Sequence, residues 1–221
     1  MIRIFDIFFS LLAIIFLSPI FIIISIFLKF SGEGEILYFQ ERIGKNKKVF
    51  KLIKFATMLK NSPNIGTKSI TVKGDPRILP MGHFLRKTKI NELPQIFNVL
   101  FGDISLIGPR PLVQEGVDNY PRELEIEMSK IKPGLSGLAS ILLRNEEEVL
   151  SVVEDPVEFH KKILTPFKAE IEVWMSKKNN LTNYFLLIFL TIWIVLFPGT
   201  KILNNFFKDR PKMPDELTKL L

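Results

Sequence analysis

The chain has 221 residues, 47% of them hydrophobic, with 20 Phe, 30 Lys and Arg against 23 Asp and Glu, and a formal net charge of +7. Hydrophobic content this high excludes a disordered polymer, and the absence of cysteine excludes a disulfide scaffold, a Cys-ligated zinc site, an iron–sulfur cluster and thiol catalysis. Two His are too few for a polyhistidine metal site, and high hydropathy joined to positive charge points to a membrane surface or an anionic substrate.

The first element is apolar. Residues 8–28 (FFSLLAIIFLSPIFIIISIFL) carry no charge, and about 21 residues suffice to span a hydrocarbon core of roughly 30 Å. Ser18-Pro19 sits near the middle. Proline removes a backbone donor and clashes with the preceding turn, so a kink or break is expected there. Two topologies follow: a kinked spanning helix, or a re-entrant helix that returns to the side it entered. Lys29, Arg42, Lys45, Lys47, Lys48, Lys51 and Lys54 follow the run and place its downstream side in the cytoplasm. The upstream flank, Arg3 with Asp6, is nearly neutral and leaves both topologies open. A cleaved signal peptide fits poorly, because the run is long and no small-residue cleavage site follows.

The body, residues 31–178, is ordinary mixed sequence. ILYFQ and KVFKLIKF read as short strands, or as a strand and a helix start, around the polar turn RIGKNKK. Asn61 to Gly74 reads as a loop. Helical periodicity marks PMGHFLRKTKINELPQIFNVLFG and EEEVLSVVEDPVEFHKKILTPFKAEIEVWMSK. A second apolar run, Tyr184 to Phe197, extends about 21 Å as a helix, short for a span. Basic residues flank it on both sides, so it is read as lying in the interface or packing on the first segment, with a buried core helix as the alternative. The basic residues from Lys45 to Lys54 read either as a surface drawn to anionic headgroups or as a solvated loop.

The residues with chemical potential cluster in three tracts: Lys48 to Met58, Gly74 to Pro111 and Lys132 to Glu148. Arg77, Arg86, Lys87, Lys89 and Arg110 lie among Asp75, Glu92 and Asp103. Arginine binds phosphate oxygens bidentately, and neighbouring carboxylates suit magnesium, which takes hard oxygen ligands. The combination fits a nucleotide diphosphate. Neither a GxxxxGK[ST] nor a GxGxxG cradle is present, and no nucleic-acid recognition motif accompanies the positive charge.

The ordered set Ser18-Pro19, KFATM, DPR, LRKTKINELPQ, FGDISLIGPRP and KPGLSGL resembles the bacterial sugar transferase family, the monotopic phosphoglycosyl (polyprenyl-phosphate hexose-1-phosphate) transferases. The resemblance covers nearly the whole chain. It implies a helix-rich α+β fold in a monotopic membrane protein: a re-entrant helix over 1–30, a catalytic domain over 31–180, and an interfacial apolar helix and tail over 181–221. It implies residence on the cytoplasmic face of the bacterial inner membrane. The implied reaction moves a sugar-1-phosphate from a UDP-sugar to undecaprenyl phosphate, releasing UMP, with Mg2+ and membrane lipid as partners, no nucleic acid, and a second copy of the chain as a candidate partner. In most members an adjacent Asp-Glu pair is catalytic, the Asp attacking the β-phosphate to give a covalent phosphosugar intermediate.

Carried onto this sequence, the resemblance assigns Asn91 and Glu92 to the catalytic pair, Glu92 to the metal, and Arg86, Arg110, Arg144 and Lys54 to substrate binding. Asp75, Arg77 and Asp103 are assigned to structure. The departure is Asn91, which stands where the family has its nucleophilic Asp; an amide lacks the charge covalent catalysis needs. An introduced Asp→Asn exchange is one account, but Ala56 in KFATM and the tract GLASILLRNEEE also depart, which marks a subfamily. The other accounts are Glu92 as nucleophile, direct transfer with Glu92 as base or metal ligand, and a catalytically silent scaffold. Transfer of the sugar without its phosphate, releasing UDP, is the remaining enzymatic alternative.

Overall fold

The computed structural model describes residues 1–62, 75–197, 200 and 202–220; of the segment read as a loop, residues 63–74 lie outside them. The fold is mixed and helix-rich: twelve α-helices, short 3-10 and π turns, and four strands among the described residues.

The first apolar run lies within helix α1, Ile2–Lys29. Its backbone stays helical through Pro19 instead of ending there. The carbonyl that Pro19 leaves without a donor is that of Ile15, four residues back, and the Ser18 hydroxyl donates to that same oxygen at 2.8 Å. A neighbouring hydroxyl thus replaces the missing amide, which hydrocarbon cannot do. The most apolar stretch of α1 is 6% buried within the protein, and it is long and apolar enough to cross a membrane.

Two compact units make up the chain. One comprises residues 7–41 and 51–101. Leu28 of α1, Phe55 and Leu85 form its core, with Phe21, Ile24, Ile36, Met81 and Ile90 packed around them. Both expected strands form, as β1 (Leu37–Ile43) and β2 (Val49–Phe55), paired in a two-stranded sheet. The first helical stretch divides into α2 (Pro80–Lys87) and α3 (Gln95–Phe101) around a 3-10 turn at Ile90–Glu92. Asp75 and Arg77 are structural, as expected: the buried guanidinium donates to both carboxylate oxygens (Nε–Oδ1 2.9 Å, Nη2–Oδ2 2.6 Å) and to the Ser62 carbonyl (2.9 Å).

The other unit comprises residues 1–6, 42–50 and 102–221. After β3 (Ser105–Ile107), α4 (Gln114–Val117) and α5 (Arg122–Ser129), strand β4 (Gly134–Ser136) pairs parallel with β3, Ser105 opposite Gly134 and Ile107 opposite Ser136. Gly134 is therefore a strand residue. A Cβ there would stand 2.1 Å from the Gly108 nitrogen, so the two backbones meet through glycines. Then come α6 (Leu138–Leu142), α7 (Glu146–Val152), α8 (Pro156–Phe159), a π turn at His160–Leu164 and α9 (Thr165–Ser176). Asp155 opens α8 by accepting the Glu158 N–H at 2.9 Å. The second apolar run becomes α10 (Leu181–Leu196), followed by α11 (Leu203–Phe206) and α12 (Asp215–Thr218). The core joins Leu138, Leu164, Ile171, Leu187, Leu190 and Leu217. One face of α10, Tyr184, Leu187, Leu190 and Ile194, is buried in it, whereas Phe185, Phe189, Ile192, Val195 and Leu196 are exposed. The core-helix alternative describes one face of this helix, and the other face is exposed.

Candidate active site

The site begins with two elements of the unit built from residues 7–41 and 51–101. Strand β2 carries Lys54. The Asn98 side chain of α3 grips this strand like a neighbouring strand would, accepting the Ile53 N–H at 2.9 Å and donating to the Lys51 carbonyl at 2.8 Å. Facing Lys54 is the turn that carries Asn91 and Glu92. Lys89 opens the turn in the left-handed region at φ 59°, a conformation costly for a residue with a Cβ and concentrated at functional sites. The Glu92 N–H donates to the Lys89 carbonyl (3.0 Å) and the Leu93 N–H to that of Ile90 (3.1 Å). Pro94 follows, and α3 starts at Gln95.

This geometry brings Lys54 and Glu92 together, Nζ to Oε1 3.9 Å, with side chains 14% and 19% exposed. Asn91 and Gln95 are buried; the Asn91 Oδ1 and the Gln95 Nε2 have no hydrogen-bond partner among the described residues. Buried polar atoms are nearly always bonded, and each orphan costs about 1–3 kcal/mol, which makes these two atoms candidates for contact with a ligand or water. Arg86, half-buried near the end of α2, points its Nη1 at the Met58 sulfur, 3.8 Å away.

Arg110 and Arg144 belong to the other unit. Arg110 is exposed and lines a cavity of about 40 Å³ together with Lys47, Pro109, Tyr120 and Glu125, too small for a nucleotide-sugar. Arg144 donates from Nη1 to the Ile194 carbonyl, one of the unpaired carbonyls at the end of α10. Of the basic residues read as a lipid-facing cluster, Lys47 pairs with Glu125 at 2.6 Å and Lys54 with Glu92.

No group of three or more Asp, Glu, His or Cys that could hold a metal ion occurs among the described residues. Magnesium, however, commonly takes one or two protein oxygens and completes its shell with water and substrate phosphates. Glu92 and the unsatisfied Asn91 oxygen fit that requirement.

Sequence reasoning missed Asn98, Gln95 and the strained Lys89. The signal for the first two was present: an amide on each side of the apolar residues of QIFNVLF has to bond to something.

A carboxylate paired with a lysine on a strained turn, beside two amide atoms without partners among the described residues, makes up a candidate polar site on a chain that also has a membrane-length helix. The comparisons give the particular family. The bacterial sugar transferase model matches residues 1–198, and the chain belongs to that family. It is 35% identical over 158 residues to the exopolysaccharide production protein ExoY of Sinorhizobium fredii, covering 65% of this chain and 70% of that protein. It is 38% identical over 139 residues to the UDP-N-acetylgalactosamine-undecaprenyl-phosphate N-acetylgalactosaminephosphotransferase of Aeromonas hydrophila, covering 62% and 33%. It is 34% identical over 191 residues to the UDP-glucose:undecaprenyl-phosphate glucose-1-phosphate transferase of Escherichia coli, covering 85% and 38%. The matched regions are thus well under half the length of the latter two relatives.

Proposed function

We propose that this protein transfers a sugar-1-phosphate from a UDP-sugar to undecaprenyl phosphate at the cytoplasmic face of the inner membrane, releasing UMP and starting the assembly of a membrane glycan. The observation that carries the reading is family membership over residues 1–198, joined to relatives named for this reaction. In this reading Lys54 offsets charge on the donor diphosphate and Arg86, of the same unit, binds its phosphate oxygens; Arg110 and Arg144 keep a phosphate-binding role only as the resemblance assigns it. Glu92 and the Asn91 oxygen are the residues to hold Mg2+, which would neutralise charge on the diphosphate.

The bond broken joins the α- and β-phosphates, and its electrons leave with UMP. With an amide at 91, Glu92 is the carboxylate of the pair that remains to form the new bond. Its attack on the β-phosphorus gives an acyl phosphate bearing the sugar. The undecaprenyl phosphate oxygen then attacks the same phosphorus, restores the carboxylate and forms the lipid diphosphate-sugar.

The test is nucleotide release by the full chain in lipid nanodiscs with Mg2+, undecaprenyl phosphate and a panel of UDP-sugars, for the unaltered protein, Glu92→Gln and Asn91→Asp. UMP release that falls by more than about a hundredfold in Glu92→Gln, with a labelled sugar-phosphate trapped on the unaltered protein, supports the reading. UDP release overturns the assigned bond cleavage. UMP release without a trapped adduct leaves direct displacement by the lipid phosphate. The neutral Asn91 favours one other reading, a nucleotide-sugar-binding scaffold. Turnover by Asn91→Asp alone would establish it.

A further inference from the structure

A cavity of about 250 Å³ lies in the unit formed by residues 1–6, 42–50 and 102–221, and none of the candidate-site residues line it. Arg3, Asp6, Lys132, Glu172, Asn179 and Asn183 contribute to its wall. Two of these groups are cations, Arg3 and Lys132, and two are carboxyls, Asp6 and Glu172. Asp6 is committed to three donors: the Ser105 hydroxyl (2.9 Å), the Leu106 N–H (3.0 Å) and the Tyr184 hydroxyl (2.9 Å). Glu172 accepts the Ala139 N–H at 2.8 Å. Lys132, by contrast, has no ion-pair partner among the described residues. Burial and the nearby Arg3 push its ammonium below the usual lysine range, which the carboxylates of Asp6 and Asp103 only partly oppose. The position of Arg3 is prepared by the backbone: Gly102 sits at φ +94°, and a Cβ there would stand 3.1 Å from the guanidinium. An anion entering beside Lys132 would favour the charged ammonium that burial disfavours. The level of the cavity along α1 indicates where that anion comes from. Arg3 and Asp6 immediately precede the apolar run of α1, and Asn183 lies in the first turn of apolar α10; headgroup phosphates lie where such helices leave the hydrocarbon.

We propose that this cavity is a phosphate-binding site, formed around Arg3 and Lys132 with the Asn179 and Asn183 amides, that takes the phosphate of an anionic lipid headgroup or of a soluble phosphate. The proposal is independent of the reaction at Glu92. Its test is calorimetric titration of the full chain in maltoside micelles with dihexanoyl phosphatidylglycerol, dihexanoyl phosphatidylcholine and inorganic phosphate. The unaltered protein is expected to bind phosphatidylglycerol at least tenfold tighter than phosphatidylcholine. Lys132→Met is expected to weaken that binding at least tenfold. Asn179→Asp, an exposed substitution that adds an anion to the wall, gives a second perturbation should the first variant not fold, with the same expected direction. Binding of inorganic phosphate with the same dependence makes the phosphate alone sufficient; binding of phosphatidylglycerol alone makes the lipid headgroup the occupant. Glu92→Gln is expected to bind as the unaltered protein does, whatever becomes of UMP release. Failure of both anionic probes to bind, wild-type affinity in the folded variants, or loss of binding in Glu92→Gln overturns the proposal.

Discussion

Replacing Glu172 by Gln keeps the shape of the side chain and the acceptor for the Ala139 N–H while removing an ionisation that the fold resists. Glu172 is 5% exposed. Burial pushes its carboxyl from 4.5 up to about 7, although the Ala139 hydrogen bond pulls the other way. A carboxyl whose folded-state pKa stands above its unfolded one binds its proton more tightly in the folded chain. Its contribution is therefore complete below pH 4.5 and is lost as the pH rises through 7. The separation corresponds to about 3 kcal/mol. Glu146 works in the opposite sense: burial alone would raise its pKa, but hydrogen bonds and charge from His160 and Lys168 outweigh it and hold the group at about 2. Its stabilisation is present above 4.5 and lost toward 2, and it cancels when the two proteins are compared at one pH. The assay is the thermal midpoint of both proteins in the same micelle from pH 4.5 to 8.5. Glu172→Gln should gain on the unaltered protein as the pH rises, by about 6–12 °C over the range. A midpoint difference that stays constant with pH, or one that favours Glu172 at pH 8, would refute the reasoning.

Three further outcomes follow from particular contacts. Ser18→Ala should cost about 1 kcal/mol by orphaning the Ile15 carbonyl, but Ser18→Ala should cost little in a Pro19→Ala background, where the backbone N–H is restored; thermal midpoints of the four proteins measure the coupling. Asp75→Asn leaves the Arg77 guanidinium buried without its counter-charge and should destabilise by about 3–5 kcal/mol, seen in the same assay. Gly134→Ala drives a Cβ into the Gly108 backbone, and the β3–β4 ladder should lose amide protection in hydrogen exchange while the amides of the other unit keep theirs.

The run of α1 was legible because uncharged sequence of that length has few other uses. The consequence of Pro19 was not, because it turns on which carbonyl the Ser18 hydroxyl reaches. The turn KNKK marked the hairpin better than the weak alternation of KVFKLIKF marked its second strand. At the site, Asn91 and Glu92 were found through the resemblance, since arginines and carboxylates by type alone describe many solvated surfaces. The Lys54–Glu92 pair, the Asn98 clamp on β2 and the buried role of Asp6 were illegible for one reason: each depends on residues far apart in sequence. Asp6 shows this most clearly. In the sequence it merely neutralises Arg3 in a short flank, whereas in the fold it joins residues 99 and 178 positions away.

Those distant contacts also fix the two ends of α1. At its start, Asp6 accepts from Ser105 and Tyr184. At its end, Leu28 is fully buried among Phe55 and Leu85. Each end of α1 is thus held within its own unit of the fold. Helix α10 adds a second constraint. At 16 residues it extends about 24 Å, short of the hydrocarbon thickness, and one face is already committed to the core. Its other face, with Phe185, Phe189, Ile192, Val195 and Leu196, is apolar and exposed.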